Sequence, residues 1–376
     1  MRYTYFLISF CFFFHNCAPK MSTDGLVTLY VGTYTQKEGH VDGKAQGIYQ
    51  LKFNSTTGQI TVADTITGMV NPSFLALALE TGMLYAVNEK SPSSEGLGQL
   101  EIYDIHPEQF GTKMRSLSTG SYAPCHVVLD KARKIAVVAN YVGGTVAVFN
   151  LAAGKDSSPQ YIHFDKVPKT SSRQEDSHPH SAIFSADEKY VYVTDLGTDR
   201  VMIFKYDQEK VQLVPGTVPF VEMPDGSGPR HTVFSPDGKL LYVLNELSNT
   251  VAVMEVVADG ALKQQQLIAT LSEGYTGNSN AADIHLSKNG KMLYTSNRGS
   301  NTITVFKVDE KGNLQSVGQV DTHGTIPRNF HLTNDGKWMM VANQNSGNIA
   351  LFDLTKGDLP VFVSSTAIGT PVCIVE

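Results

Sequence analysis

The side chains best suited to chemistry stand in two recurring contexts. One set follows a leading Pro or its equivalent: Ser73, Cys125-His126, His180-Ser181, Arg230-His231, Ala282-Asp283, Arg328-Asn329 and Val372-Cys373, with His285 and His331 slightly further along. The other set follows a recurring Asn, Asp or Thr: Tyr34, Glu89, Tyr141, Leu196, Glu246, Arg298 and Gln344. Six of the eleven histidines fall at or beside such positions: His126, His178, His180, His231, His285 and His331. A purely structural repeat would fill equivalent positions with equivalent residues, whereas these vary among Arg, His, Glu and Asp. A guanidinium pairs bidentately with carboxylate or phosphate, so Arg230, Arg298 and Arg328 point to an anionic ligand. A glutamate or histidine among them could take a proton from water or from carbon.

Two other uses of these residues compete with that one. Polar residues lining a wet channel can simply satisfy one another. Asp283 and His285, two apart on one strand, could join His231 from a neighbouring repeat as three metal ligands. Nearby arginines would repel a cation, however, and no tight ligand motif is present, so no metal and no cofactor is expected. The chain has no phosphate-cradling Gly-rich loop, no Gly-x-Ser-x-Gly elbow and no zinc-spaced Cys pair. A formal net charge of −6 and the lack of a basic stripe argue against nucleic acid.

These residues need a framework, and the sequence repeats itself to supply one. Each copy opens with Pro, runs apolar and turns. A second apolar run then ends in a marker residue, and a third run of the Thr-Val-x-Val-Phe type follows. The clearest copy starts at Gly228-Pro229-Arg230-His231 and turns at Ser235-Pro236-Asp237-Gly238-Lys239. It then runs Leu240 to Asn245-Glu246 and finishes at Thr250-Val251-Ala252-Val253-Met254. The markers are Thr33, Asn88, Asn140, Asp195, Asn245, Asn297 and Asn343, 46 to 55 residues apart. Seven copies of turn-bounded strands predict an all-β, seven-bladed β-propeller with four-stranded blades. The second runs are nearly continuously apolar, as expected of strands packed on both faces.

The first copy lacks a Pro-led strand, and the chain ends in an unattached one, Pro371-Val372-Cys373-Ile374-Val375-Glu376. This C-terminal strand is predicted to complete blade 1 and close the ring, leaving no open edge. In such a ring the starts of the inner strands and the loops after the markers share one face. Both sets of residues are therefore expected to converge at one mouth of the central channel, where a concave site forms.

The polar stretch Lys166 to His178 is read as a solvated loop between blades 3 and 4, with a lid over the site as the alternative. Trp338 is read as blade core. Cys125 and Cys373 are read as small buried hydrophobes rather than a disulfide framework.

Residues 1–17 differ from the rest. Arg2 is their only charge, Phe6 to Phe14 is almost wholly apolar, and Cys17 follows. The run is too short for a stable membrane span but suits a signal-peptide core. A leader ending at a cysteine resembles that of a bacterial lipoprotein, so Cys17 is the expected lipidation site and export is expected. The alternative is a cytoplasmic protein that starts at Met21. The folded domain is expected over residues 26–376.

Gly228-Pro229-Arg230-His231 with Asn245-Glu246-Leu247, Ser296-Asn297-Arg298-Gly299 and Ala342-Asn343-Gln344 resembles the lactonase family of seven-bladed propellers. Tyr141-Val142-Gly143-Gly144 and Asp195-Leu196-Gly197 fit the same pattern, so the resemblance covers residues 26–376. It implies action on a lactone, with 6-phosphogluconolactone the leading substrate. It also implies a catalytic group of His180, Arg230, Glu246 and Arg298. Glu246 or His180 would activate water, and the arginines would bind an anionic group or the oxyanion. His126, His231, Asp283, His285, Arg328, His331 and Asn343 are the expected substrate-holding residues. The alternatives are a muconate-type cycloisomerase using the same groups, and a non-catalytic exported propeller that binds carbohydrate or protein. The expected partner is a small anionic lactone, with no nucleic acid and membrane contact only through the lipid; a monomer is expected.

Overall fold

The apolar runs and their Gly-containing turns form strands where the repeat places them. In this computed structural model the described residues are 25–39, 41–152, 158–167 and 171–376. The leader and Cys17 lie outside them. Seven four-stranded antiparallel sheets follow one another around a central channel. The inner strands of blades 2 to 7 are Pro72–Ala78, Pro124–Leu129, Pro179–Phe184, Pro229–Phe234, Asn280–Leu286 and Pro327–Leu332. In blade 1 the inner strand is Pro371–Val375, paired antiparallel with Leu26–Thr33. The ring is therefore closed by the last strand of the chain, as expected.

Six of the seven second strands end at their marker residue; Met292–Arg298 runs one residue further. Their burial explains their composition. Ile135 to Ala139 are all 0% exposed, because each face of the blade packs on a neighbouring blade. Each fully buried Val or Ile there contributes about 1.5–3 kcal/mol. The ring-closing interface is a cluster of Leu29, Val31, Leu51 and Phe53 from blade 1 with Met340, Ala342, Ile349 and Leu351 from blade 7. Trp338 packs against this cluster. Its ring meets Phe53 edge-on at 5.8 Å, and its Nε1 donates to Ser55 O at 3.1 Å.

The marker Asn is structural. Asn140, Asn297 and Asn343 each donate an amide hydrogen back to the preceding blade, to Thr119 O at 3.2 Å, Thr270 O at 3.3 Å and Thr322 O at 2.9 Å. Gly238, Gly290 and Gly336 hold φ near +70° in the first hairpins, a conformation that favours glycine.

One feature of the inner strands sets up the site. Each shows a register shift just after its leading Pro or equivalent. A bulge leaves one residue unpaired and re-aims its side chain. Residue Pro+1 is thus turned toward one mouth of the channel and residue Pro+2 toward the other.

Candidate active site

The first mouth opens into a chamber of about 500 Å³. The bulged positions contribute Cys125, His180 and Arg328, and the positions after the markers contribute Tyr34, Glu89, Tyr141, Glu246 and Arg298. Glu38 overhangs it from the two-stranded hairpin Lys37–Glu38 and Val41–Asp42, where Asn71 Nδ2 donates to Glu38 Oε2 at 2.7 Å.

Glu246 is the centre of charge. Arg230 Nε and Arg298 Nη2 each lie 2.9 Å from its Oε2, and Arg173 Nη2 donates to its Oε1 at 2.9 Å. The Glu246 side chain is 2% exposed. Burial pushes its carboxyl up, but Arg298, Arg230 and Arg173 outweigh that and hold it well below the usual carboxylate range. It is an ionised group and a poor proton acceptor. Arg230 donates through Nη1 to Ala282 O. Burial, with Arg298 beside it, lowers the Arg230 guanidinium to about 10, so it stays charged at neutral pH. The Nε atom of Arg230 reaches Glu246 without an aligned hydrogen bond, whereas Arg298 meets it through Nη2 and leaves its own buried Nε unbonded.

His180 is the opposite kind of group. Burial, followed by Arg230 and His231, holds its imidazole well below the ordinary range. It is neutral at pH 7 and keeps an imidazole lone pair, although the burial and guanidiniums that hold it neutral also weaken it as a base. Its neighbour Cys125 lies with Sγ 3.8 Å from His180 Nδ1, and burial pushes that thiol up, keeping it protonated. On the far wall, Tyr34 OH donates to Glu89 Oε2 at 2.8 Å. Arg328 lies 3.6 Å from Glu89 Oε1 and 5.4 Å from the Tyr34 ring centroid.

Arg173 is the residue that sequence reasoning missed. It stands in the loop read as solvated, yet Gln174, Ser177 and His178 beside it are buried. Gln174 Nε2 donates to Leu196 O and Asp199 Oδ1 at 2.9 and 2.8 Å, and the His178 ring stacks on Tyr141 at 4.6 Å. Arg173 Nη2 also donates to Tyr141 OH at 2.9 Å. The one available signal was an arginine beside His178 and close to the first catalytic candidate.

Six of the seven expected substrate-holding residues stand elsewhere, and only Arg328 lines the first chamber. His126, Asp283, His285 and His331 line a second chamber of about 480 Å³ at the other mouth, and His231 reaches it too. There Asp283 Oδ1 accepts from His231 Nδ1 at 2.7 Å, and Oδ2 lies 2.9 Å from His285 Nε2. Asn329 Nδ2 and Phe330 N also donate to Oδ2, at 2.5 and 3.1 Å. His331 Nε2 is 3.0 Å from Glu376 Oε2. Among the described residues no group of three His, Cys, Asp or Glu is arranged around a metal position. Asn343 is fully buried in blade 7 and lines neither chamber. The sequence expectation of one shared mouth is corrected by the bulge, which splits the two adjacent positions.

The family profile described as "Lactonase, 7-bladed beta-propeller" matches residues 28–376. A Bacillus subtilis protein named 6-phosphogluconolactonase is 31% identical over 352 residues, covering 92% of this chain and 97% of that protein. A Formosa agariphila protein of the same name is 31% identical, covering 80% and 85% of the two chains. Among solved structures, the Pseudomonas aeruginosa periplasmic gluconolactonase PpgL superposes with a TM-score of 0.83 at 31% identity, covering 93% of this chain and 98% of that one. A putative 6-phosphogluconolactonase from Bacteroides fragilis gives 0.83 at 32%, covering 94% and 98%.

Proposed function

The chain belongs to the lactonase family of seven-bladed β-propellers, and on that premise we propose that its arginine-lined chamber hydrolyses a sugar lactone, with 6-phosphogluconolactone the leading substrate. The observation that carries this reading is that His180 shares its chamber with Glu246, an ionised carboxylate on which Arg173 and Arg298 from the chamber wall and Arg230 from beneath it converge. Relatives of similar length bear the names 6-phosphogluconolactonase and gluconolactonase.

The roles follow from charge. His180 takes the proton from water as it attacks the lactone carbonyl, because Glu246 is too strongly paired to serve. Arg230 and Arg298 stabilise the oxyanion with preplaced positive charge. Glu246 holds those guanidiniums in place. Arg328, with Tyr34 and Glu89, meets the hydroxyl-rich or anionic end of the sugar. Collapse of the tetrahedral intermediate breaks the ring C–O bond, and protonated His180 returns its proton to the leaving alkoxide. Lactones are reactive esters, so no covalent nucleophile is required, and a protonated, buried Cys125 is unsuited to that part.

We further infer export of the chain. Support comes from the apolar run Phe6 to Phe14 and from the periplasmic gluconolactonase named among its structural relatives. Lipidation of Cys17 is the finer form of this reading, and the mass of the mature N-terminal peptide tests it. The enzymatic reading is tested by pH-stat hydrolysis of 6-phosphogluconolactone and glucono-δ-lactone. Rates well above the uncatalysed background for either substrate support it. Background rates with both, or turnover of a muconate only, overturn it.

A further inference from the structure

Between the two chambers the channel narrows to a void that leaves about 10 Å³ for the centre of a water molecule. Ser73, Glu89, His180, Arg230, His231 and Arg328 line it. It shares Glu89, His180 and Arg328 with the arginine-lined chamber, and Phe74 and His231 with the histidine-lined one. It therefore lies between the two, under the floor of the proposed reaction site.

The wall of this void is polar and incompletely satisfied. Ser73 is 4% exposed, and its Oγ makes no hydrogen bond within the protein. A buried hydroxyl left unpaired destabilises the fold unless a water satisfies it. Arg230, also on this wall, is paired through Nε with Glu246 Oε2 at 2.9 Å, which leaves Ser73 Oγ as the unpaired group. The rings of His180 and His231 stand 5.3 Å apart at a steep angle. Asp283 as a carboxylate can only accept, so neutral His231 carries its hydrogen on Nδ1 and keeps the Nε2 lone pair free to accept. A space of about one probe sphere bounded by two to four polar partners is what a buried water requires.

We propose that this void is the seat of the hydrolytic water, held by Ser73 and His231 beneath the lactone and beside His180. The proposal rests on the lactonase reading and deepens it. A lactone filling the chamber above would block solvent arriving from that mouth, whereas the histidine-lined chamber supplies water from below. In the step itself the water oxygen bonds to the carbonyl carbon. One water proton passes to the imidazole of His180, and the carbonyl π pair moves to the oxygen facing the arginines. Ring C–O cleavage then recovers the proton from His180. Ser73 and His231 are positioning residues, since they act through the water.

Substituting Ser73 tests this in two directions. Ser73→Val puts methyl carbons where the water would sit, and kcat is expected to fall at least 100-fold. The inhibition constant of the product aldonate is expected to stay within about threefold, because the chamber above is untouched. Ser73→Ala leaves the space and the other partners, so kcat is expected to fall less than about tenfold. A Ser73→Val enzyme with kcat within threefold of wild type overturns the proposal while leaving the lactonase reading intact. If Ser73→Val does not fold, a crystal structure of the wild-type protein at about 1.5 Å decides. A water peak bonded to Ser73 Oγ supports the assignment, and its absence overturns it. That result does not depend on whether the wild-type protein opens lactones.

Discussion

The two ends of the channel are built from adjacent residues of the same seven strands, yet they differ in kind. Position Pro+1 contributes Cys125, His180, Arg230 and Arg328; position Pro+2 contributes His126, His231, Asn329 and, from the equivalent strand of blade 6, Asp283. At the first end three guanidiniums crowd one carboxylate, each within 2.9 Å of it. At the second end one carboxylate, Asp283, is bonded on both oxygens by His231, His285, Asn329 and backbone amides. A satisfied buried network fixes structure, whereas an excess of guanidiniums over carboxylates suits the binding of a further negative charge. One bulge per blade separates the two, so a single repeated distortion gives the propeller an arginine-rich chamber at one mouth and a histidine-rich one at the other.

Breaking the comparison calls for matched substitutions at the two ends. His180→Asn removes the proposed base and is expected to lower kcat by roughly 10²–10⁴. His285→Gln, at the other end, is expected to change kcat less than about threefold. Equal losses in the two variants, measured side by side on the same lactone, would erase the functional distinction between the chambers.

Arg230→Ala sharpens the account of the arginines. Loss of one oxyanion donor is expected to lower kcat by one to two orders of magnitude, near the low end for such deletions. Melting curves measured in parallel separate this from instability, since the change also leaves Glu246 short of a partner. Unchanged turnover would remove Arg230 from the chemistry.

A separate effect, on acid stability rather than on turnover, comes from the histidine-lined end. Burial, followed by Arg230, lowers His231 to about 4 in the folded protein, against about 6.5 when unfolded. Between those values the unfolded chain binds the extra proton and the native chain does not, so stability falls as pH drops from about 6.5 to about 4. The full shift corresponds to about 3 kcal/mol. Denaturant unfolding across that window is expected to lose this acid-sensitive component in His231→Gln; an identical pH profile in wild type and variant would assign it elsewhere.

Much of this was legible in the sequence, for definite reasons. Three of the marker Asn amides tie their blade to the one before, and the recurrence of the markers made the ring and its closure by Pro371–Val375 legible. Glu246, Arg298, Tyr34 and Glu89 were placed correctly at one mouth because they follow those markers. The split between Pro+1 and Pro+2 was hidden, because the bulge carries no residue signature. Arg230 and His231 look like one dipeptide, and their side chains serve different layers. Arg173 was hidden for another reason: its loop has no counterpart in the other blades, and its polar composition matched a solvated segment until Gln174 and His178 were found buried.

The most direct measurement is a crystal structure with a lactam analogue of the sugar lactone, which keeps the ring carbonyl but resists opening. The account predicts the analogue in the arginine-lined chamber, with its carbonyl oxygen within hydrogen-bonding distance of Arg230 or Arg298 and its carbonyl carbon facing His180. Binding in the histidine-lined chamber, or with the carbonyl turned away from those guanidiniums, would contradict it.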